Sequence, residues 1–242
     1  MTSNLFICKL NALQPLGTAE IEAIEAATVL VRRYKPRQDL ILEGDEPGPV
    51  FVMLEGWACR YKMLPNGARQ ITAFLMPGDA CDLHIGMLAE MDHGIQAITP
   101  ATVALISRHG IEAMMRDYPK VARAMYVAQL VDEGTLRAWI VSMGRRSSIE
   151  RVAHLMCELY LRMHNVGMAA DGEIALPLSQ VILAEALGMT PVHLNRVLAE
   201  LRQAEAMTVG RGWIRITDSG KLVQIAGFDE NYLHRRSRRA TV

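Results

Sequence analysis

The sequence predicts an α+β chain: an N-terminal antiparallel β-roll of the jelly-roll or double-stranded β-helix kind, a long helix, and a C-terminal winged helix–turn–helix. Three observations predict it. Between residues 28 and 106, short β-forming runs alternate with glycine and proline turns. From residue 111 to 143, apolar residues recur every three or four positions. From Pro177 to Ile216, two short helical patterns are followed by a hairpin pattern with glycines at its tip. The expected boundaries are 1–110 for the roll, 111–144 for the long helix and 145–242 for the last segment with its basic tail.

The stretch Thr18-Ala19-Glu20-Ile21-Glu22-Ala23-Ile24 starts a short amphipathic helix with a capping hydroxyl and early acids. The strands are TVLVRRY, DLILEGD, VFVMLEGWACRYKML, ARQITAFLM and ATVALIS, broken at Gly44, Pro47-Gly48-Pro49, Gly56, Pro65-Asn66-Gly67 and Pro77-Gly78. Asn66-Gly67 between two alternating runs marks a hairpin, because both residues tolerate positive φ.

The long helical stretch is interrupted near Tyr118-Pro119, where the proline removes a backbone donor. Beyond it Ala122, Met125, Gln129, Asp132, Leu136, Trp139 and Met143 have the spacing of a coiled-coil seam between two subunits. The alternative is a helix lying on its own roll. Gly144-Arg145-Arg146 is expected to break this helix, and Ser147-x-x-Glu150 is a capping box that opens the next.

Pro177 to Met207 reads PLSQVILAEALGMTPVHLNRVLAELRQAEAM. Ser179 can cap an apolar helix that stops at Gly188, a residue at ease in a left-handed turn. Thr190 caps a second helix, residues 190–204, with Pro191 at its first position. At about 100° per residue, Leu194, Val197, Leu198 and Leu201 share one face, while Val192, His193, Asn195 and Arg196 share the other. One face packs on the first helix and the other is free to enter a major groove. An arginine can donate to guanine O6 and N7, an asparagine can pair with adenine N6 and N7, and a histidine can touch phosphate. Thr208 to Ile216 then reads as a wing beside this helix. A single reading helix rarely binds DNA tightly, so a homodimer that doubles the phosphate contacts and matches a palindrome is expected.

At 242 residues the chain fits two modest domains. No apolar run is long enough to span a bilayer, so no membrane partner is expected, and the start lacks the pattern of a secretory signal. Cys8, Cys59, Cys81 and Cys157 are scattered without CxxC spacing, which points to reduced, cytoplasmic thiols and no zinc ribbon. The net charge of zero divides unevenly. Residues 1–144 hold 13 basic and 16 acidic side chains, residues 145–242 hold 13 and 10. The C-terminal half is therefore the polyanion-facing part. Much of its excess lies in Arg235, Arg236, Arg238 and Arg239, which read as a solvated tail.

The glycine-marked roll (LEGD, LEGW, PNGARQ, FLMPGD), the joint SIERVAHLM and the reading region LAEALGMTPVHLNRVLAELR occur in an order and spacing that resemble the Crp/Fnr superfamily of bacterial transcription regulators, over about residues 10 to 225. The resemblance implies a homodimer that binds a palindromic operator in double-stranded DNA, contacts RNA polymerase, and is gated by the roll acting as a cyclic-nucleotide-binding-like sensor domain with a small-molecule effector.

Departures from the family pattern narrow those expectations. Members that bind cyclic AMP carry a Gly-Glu-Leu turn after the PGD strand and an Arg-Ser pair further on. Here those stretches are Cys81-Asp82-Leu83 and Gly94-Ile95-Gln96-Ala97, without an arginine for the cyclic phosphate. Leu136 and Arg137 replace the paired hydroxyls of the dimer helix. Cyclic AMP is therefore not expected to bind. Oxygen-sensing members cluster N-terminal cysteines around an iron–sulfur cluster; Cys8 alone cannot do so. Cys81-Asp82-Leu83-His84 resembles the place where haem-containing members keep a Cys and a His, and packed side chains are the other reading of it. Cys81, Asp82, His84 and Gln96 are the candidate ligand-pocket residues; no cofactor is the leading expectation. In the reading helix Arg196 matches the family's arginine, whereas Val192 replaces its glutamate, leaving His193 and Asn195 to read bases. By the same resemblance Ser179 and Thr190 hold phosphate at helix starts, with Arg211 in the wing.

Two other classes compete. Asp79, Asp82, His84, Asp92 and His93 can be imagined as a metal or acid–base site, but no HExxH or P-loop spacing is present and solvated loops explain them, so no enzyme and no metal are expected. The third class is a protein-interaction module without DNA binding; salt-dependent affinity for DNA separates the two.

Overall fold

The computed structural model describes residues 4–83 and 87–234. The chain divides into two compact units, residues 1–132 and 133–242, and the division falls inside one long helix.

In the first unit, α1 (Leu5–Leu13) and α2 (Thr18–Ala27) precede the strands. The Asn4 side chain caps α1 by accepting from the Phe6 N–H, and Glu20 accepts from the Gly17 N–H at the start of α2. The first of these helices escaped the sequence reading. It buries Phe6, Ile7 and Leu10, and its Lys9 pairs with Asp79 at 2.7 Å. The strands are β1 (Val31–Tyr34), β2 (Asp39–Ile41), β3 (Val50–Glu55), β4 (Ala58–Met63), β5 (Arg69–Leu75), β6 (Ala80–Cys81), β7 (Gly94–Ala97) and β8 (Ala101–Ile106). They form two antiparallel four-stranded sheets, in the orders β1-β8-β3-β6 and β2-β7-β4-β5. β3 buries Val50 to Met53 in succession, because α1 packs against it in addition to the roll core.

The Asn66-Gly67 hairpin forms between β4 and β5, but one residue out of the simplest register. Gly67 donates to Leu64 O and Leu64 donates to Ala68 O, with positive φ at Gly67 (+82°). A two-residue loop of Asn66-Gly67 would make Pro65 and Ala68 the hydrogen-bonded pair. Proline has no N–H to give, so the turn is built from Leu64 to Gly67 instead. Gly56 joins β3 to β4 at φ +79°, where a Cβ would stand 2.2 Å from the Pro100 carbonyl oxygen.

α3 (Arg108–Asp117) and α4 (Pro119–Arg145) follow, separated at Tyr118-Pro119 as the sequence predicts. The seam drawn on α4 from spacing needs correction. Met125 is fully buried in the roll core, Asp132 faces Arg60, and the Trp139 indole donates to Glu158. Leu136 and Met143 of that series are exposed, and the other exposed apolar side chains of α4 are Tyr126, Leu130, Ile140 and Val141. A spacing of three and four identifies an apolar face without saying what covers it. α4 buries one face within its own chain and leaves a neighbouring one open. The helix ends at Arg145, within Gly144-Arg145-Arg146, where the sequence places the break.

The second unit begins with the end of α4 and continues with α5 (Ser148–Asn165), β9 (Ala169–Ala170), β10 (Glu173–Ala175), α6 (Gln180–Leu187), α7 (Pro191–Gln203), β11 (Met207–Gly210), β12 (Trp213–Ile216), α8 (Ser219–Ala226) and a 3₁₀ turn at Glu230–Leu233. The capping box of α5 is present: the Ser147 N–H donates to Glu150 at 2.7 Å. Glu158, fully buried on α5, accepts from Trp139, Tyr232 and Arg162. Burial pushes its pKa up in spite of those three donors. The wing is part of a four-stranded sheet, β11-β12-β10-β9, rather than a lone hairpin. Among the described residues no helix is long and apolar enough to cross a membrane. The arginines at 235, 236, 238 and 239, and His84, lie outside the described residues.

Candidate nucleic-acid interface

Two capped helices build the site. Ser179 Oγ accepts from Ile182 N–H at 3.3 Å to start α6, which ends at Gly188 with φ +61°. Thr190 Oγ1 accepts from His193 N–H at 3.2 Å to start α7, with Pro191 in the first turn. Each hydroxyl uses its oxygen as the cap and keeps its hydrogen to donate outward. Leu194, Val197 and Leu201 are buried, at 0, 2 and 0 % exposure, together with Leu183, Ala184 and Leu187 of α6. Burial of that face fixes which side chains of α7 remain outside.

Val192 (69 % exposed), Asn195 and Arg196 stand in solvent on the opposite face. Among the described residues the Arg196 side chain has no hydrogen-bond or ion-pair partner. Its five donors are free for an acceptor outside the protein. Asn195 Nδ2 donates to Gln180 Oε1 at 2.8 Å, which draws a residue into the site that sequence reasoning passed over. His193 departs from expectation. Its ring is half-buried, with Nε2 2.7 Å from Ser148 Oγ, so it braces α7 against the start of α5 rather than standing clear beside Arg196. At about 100° from Leu194, position 193 borders the buried face of α7, and the Ser148 hydroxyl holds its ring there.

The wing closes one side. Gly210 pairs with Trp213 across a two-residue turn, Arg211-Gly212, with φ +83° at Gly212. Arg211 is exposed at the tip. Leu176 N–H donates to Gly212 O at 2.8 Å and fastens the tip to the segment that leads into α6. Trp213 lies over Gly210, where a Cβ would meet its ring at 2.1 Å. Between α6, α7 and the wing opens a cleft of about 520 Å³, lined by Ser179, Gln180, Asn195, Arg202, Arg211 and Gly212 among others. Arg202, like Gln180, was not singled out from the sequence; one helical turn after Leu198, it faces the cleft from the far end of α7.

The roll holds the remaining candidates. Arg60 on β4, with a side chain 12 % exposed, lies 3.3 Å from Asp82 and 3.4 Å from Asp132 of α4. His93 Nε2 lies 3.1 Å from the other oxygen of Asp82. Burial alone would raise the Asp82 pKa, but the charges of Arg60 and His93 lower it; burial alone would lower His93, but its bond to Asp82 raises it. Cys81 is fully buried, and burial pushes its thiol well above the ordinary range. Gln96 Nε2 donates to Asp39, which also accepts from Tyr61. Cys81 and Gln96 thus belong to different sheets and different hydrogen-bond groups. Asp79 is committed to Lys9 and to the Met76 N–H. Among the described residues, no three His, Cys, Asp or Glu side chains gather as metal ligands.

Comparisons with known proteins agree with this arrangement. Residues 31–118 match the family model of the cyclic nucleotide-binding domain, and residues 150–225 match that of the Crp-like helix-turn-helix domain. The nitrogen fixation regulation protein FixK of Bradyrhizobium diazoefficiens is 27 % identical over 211 residues, covering 87 % of each chain. The transcriptional activator protein FnrL of Cereibacter sphaeroides is 26 % identical, covering 83 % of this chain and 82 % of that one. The solved structure of FixK2 from Bradyrhizobium japonicum superimposes with a TM-score of 0.74 at 24 % identity, over 82 % of this chain and 98 % of that chain. With a roll, a long helix and a winged helix–turn–helix in this order, and both family models matched in their places, the chain belongs to the Crp/Fnr superfamily and is a DNA-binding transcription regulator of that type.

Proposed function

We propose that this regulator works as a homodimer that reads a palindromic operator with α7. The observation that carries this reading is the position of Arg196: exposed, without a partner among the described residues, and opposite the buried Leu194, Val197 and Leu201. Arg196 reads guanine O6 and N7, and Asn195 and Val192 meet neighbouring base edges. Ser179, Thr190 and Arg211 hold backbone phosphates around the cleft, where helix starts favour anions. The open apolar face of α4 supports pairing of two chains. Relatives named as transcriptional activators support the further reading that the promoter-bound protein contacts RNA polymerase.

The signal is a separate matter. Arg60, a cation of the roll, is held between two carboxylates, so a cyclic phosphate brought there would meet Asp82 and Asp132. That does not fit a cyclic nucleotide. Nor does Cys81 present an open ligand to a haem iron, because its side chain is fully buried within the packed core of the roll. Any small-molecule effector is therefore of another chemistry.

Selection of bound duplexes from a random pool, with and without small molecules from cell extract, tests the proposal. A consensus of two inverted half-sites about one helical turn apart is expected. An asymmetric consensus, or none, defeats it.

A further inference from the structure

The Asn195 carboxamide could face a base in either of two orientations that exchange its donor and its acceptor. In the structure a contact to Gln180 selects one of the two. Asn195 Nδ2 donates to Gln180 Oε1 at 2.8 Å, so nitrogen and oxygen have assigned sides. The two residues come from different helices of the motif and line the same cleft with Arg202 and Arg211. Both are exposed, so the pair is not a buried packing device.

The inventory of donors and acceptors then has a direct reading. A carboxamide nitrogen carries two hydrogens, and Gln180 takes one of Asn195's. Its Oδ1 and second hydrogen form the acceptor–donor couple that matches adenine N6 and N7. Gln180 engages Asn195 through its oxygen alone, which leaves its Nε2 to donate. Gln180 is the first residue of α6, directly after the Ser179 cap, where the helix end favours phosphate oxygens.

We propose that Gln180 is a positioning residue for base reading: it orients Asn195 toward adenine while its own Nε2 donates to a backbone phosphate. One side chain thereby ties the identity of a base to the phosphate register of the duplex. This rests on the reading of α7 as the helix in the groove, and the test separates the two.

The test uses the full-length protein and the operator recovered by selection, with a panel of duplexes changed at one base pair at a time. Asn195→Ala should lower the preference for adenine at one position by about tenfold. Gln180→Ala should lower preference at that same position by roughly threefold to tenfold, and the double variant should be no worse than Asn195→Ala alone. Gln180→Glu keeps an oxygen for Asn195 but loses the donor and adds a charge. It should retain the adenine preference while binding every duplex more weakly. Thermal unfolding of all four variants should match the wild type. If Gln180→Ala weakens binding evenly across the panel and leaves the adenine preference intact, or if its loss of that preference adds to that of Asn195→Ala, the positioning role is wrong while α7 still reads DNA. If Arg196→Ala and Asn195→Ala both leave the sequence preference intact, or the wild type shows none, the reading by α7 falls and the positioning role with it.

Discussion

Arg151 Nη1 donates to the carbonyl of Leu187, the last residue of α6, at 2.7 Å. The same guanidinium donates through Nε to Ser142 O at 3.2 Å and through Nη2 to Met143 O and Arg146 O at 3.4 and 3.3 Å. These carbonyls cluster where α4 and α6 end, and helix ends leave carbonyls unpaired and partly negative. A planar fork of donors can meet all of them at once; an ammonium cannot. Arg151→Ala should therefore destabilise the second unit by about 2–4 kcal/mol in urea titration. It should also weaken DNA binding for all sequences alike, and Arg151→Lys should recover little of either. Wild-type stability in the alanine variant would show that the clamp is not needed.

Base reading and phosphate holding should separate cleanly between two arginines. Arg196→Ala is expected to cost about 1–3 kcal/mol per half-site and to relax preference at one base pair, because a bidentate contact to guanine is lost. Arg211→Ala at the wing tip should weaken all duplexes evenly and reduce the slope of affinity against salt by about one per half-site. Mobility shifts at several salt concentrations measure both. Unchanged affinity and preference in Arg196→Ala would remove it from the interface.

Much of the architecture was legible because its signals are local. Ser179, Gly188, Thr190 and Pro191 each act on their own backbone, and all four behave as their chemistry dictates. The β9–β10 hairpin was legible too and was overlooked: Asp171-Gly172, with φ +49° and +78°, is the dipeptide that favours a two-residue turn. The rest was hidden because it depends on partners far along the chain. Nothing near Arg60 announces Asp132, 72 positions away, and nothing near His193 announces Ser148. The register of α4 failed for the same reason. Met125 and Ile140 look alike in a periodic pattern, and only the packed core distinguishes the buried one from the open one.

Arg60 makes the roll's chemistry testable without knowledge of its signal. Cyclic AMP should give no saturable heat in calorimetry, since Asp82 and Asp132 already hold the cation that a phosphate would need. Arg60→Ala leaves Asp132 without its cation and Asp82 with His93 alone, and should cost about 1–3 kcal/mol of stability, reduced from a fully buried pair because Asp132 is partly solvated. Tight cyclic AMP binding by the wild type would overturn this account of the roll.

His154 gives the second unit a pH dependence with a definite sign. It is 3 % exposed, packed between Phe228 and Tyr232, and its pKa is pushed down to about 4 by burial and then by Arg146. The unfolded chain binds a proton near the ordinary histidine value of about 6.5, the folded one only near 4. Stability from this group is thus complete above about 6.5 and lost as pH falls toward 4, by about 3 kcal/mol at most. Glu158, raised by burial, works in the opposite sense, so the comparison must be made against a variant. His154→Gln should flatten the acid limb of the stability profile; an identical slope in wild type and variant would refute the assignment.

Ile140 decides the register of the proposed dimer. It is 71 % exposed on α4, while its neighbour Trp139 turns inward to Glu158. Tyr126, Leu130 and Ile140 fit a repeat of three and a half residues whose intervening positions are Glu133 and Arg137, themselves 3.4 Å apart. Apolar side chains on either side of a charged pair give a seam with one favoured alignment, because a slip would bury a charge against leucine. Ile140→Glu should therefore convert a dimer to a monomer in sedimentation velocity without unfolding it. It should weaken operator binding on the order of a hundredfold, since half of the phosphate contacts are lost. Trp139→Phe removes the indole donor to buried Glu158 and should instead lower stability by about 1–3 kcal/mol with the dimer intact. The reverse result, assembly lost at 139 and preserved at 140, would restore the register drawn from spacing alone and reject the open face of α4 as the seam.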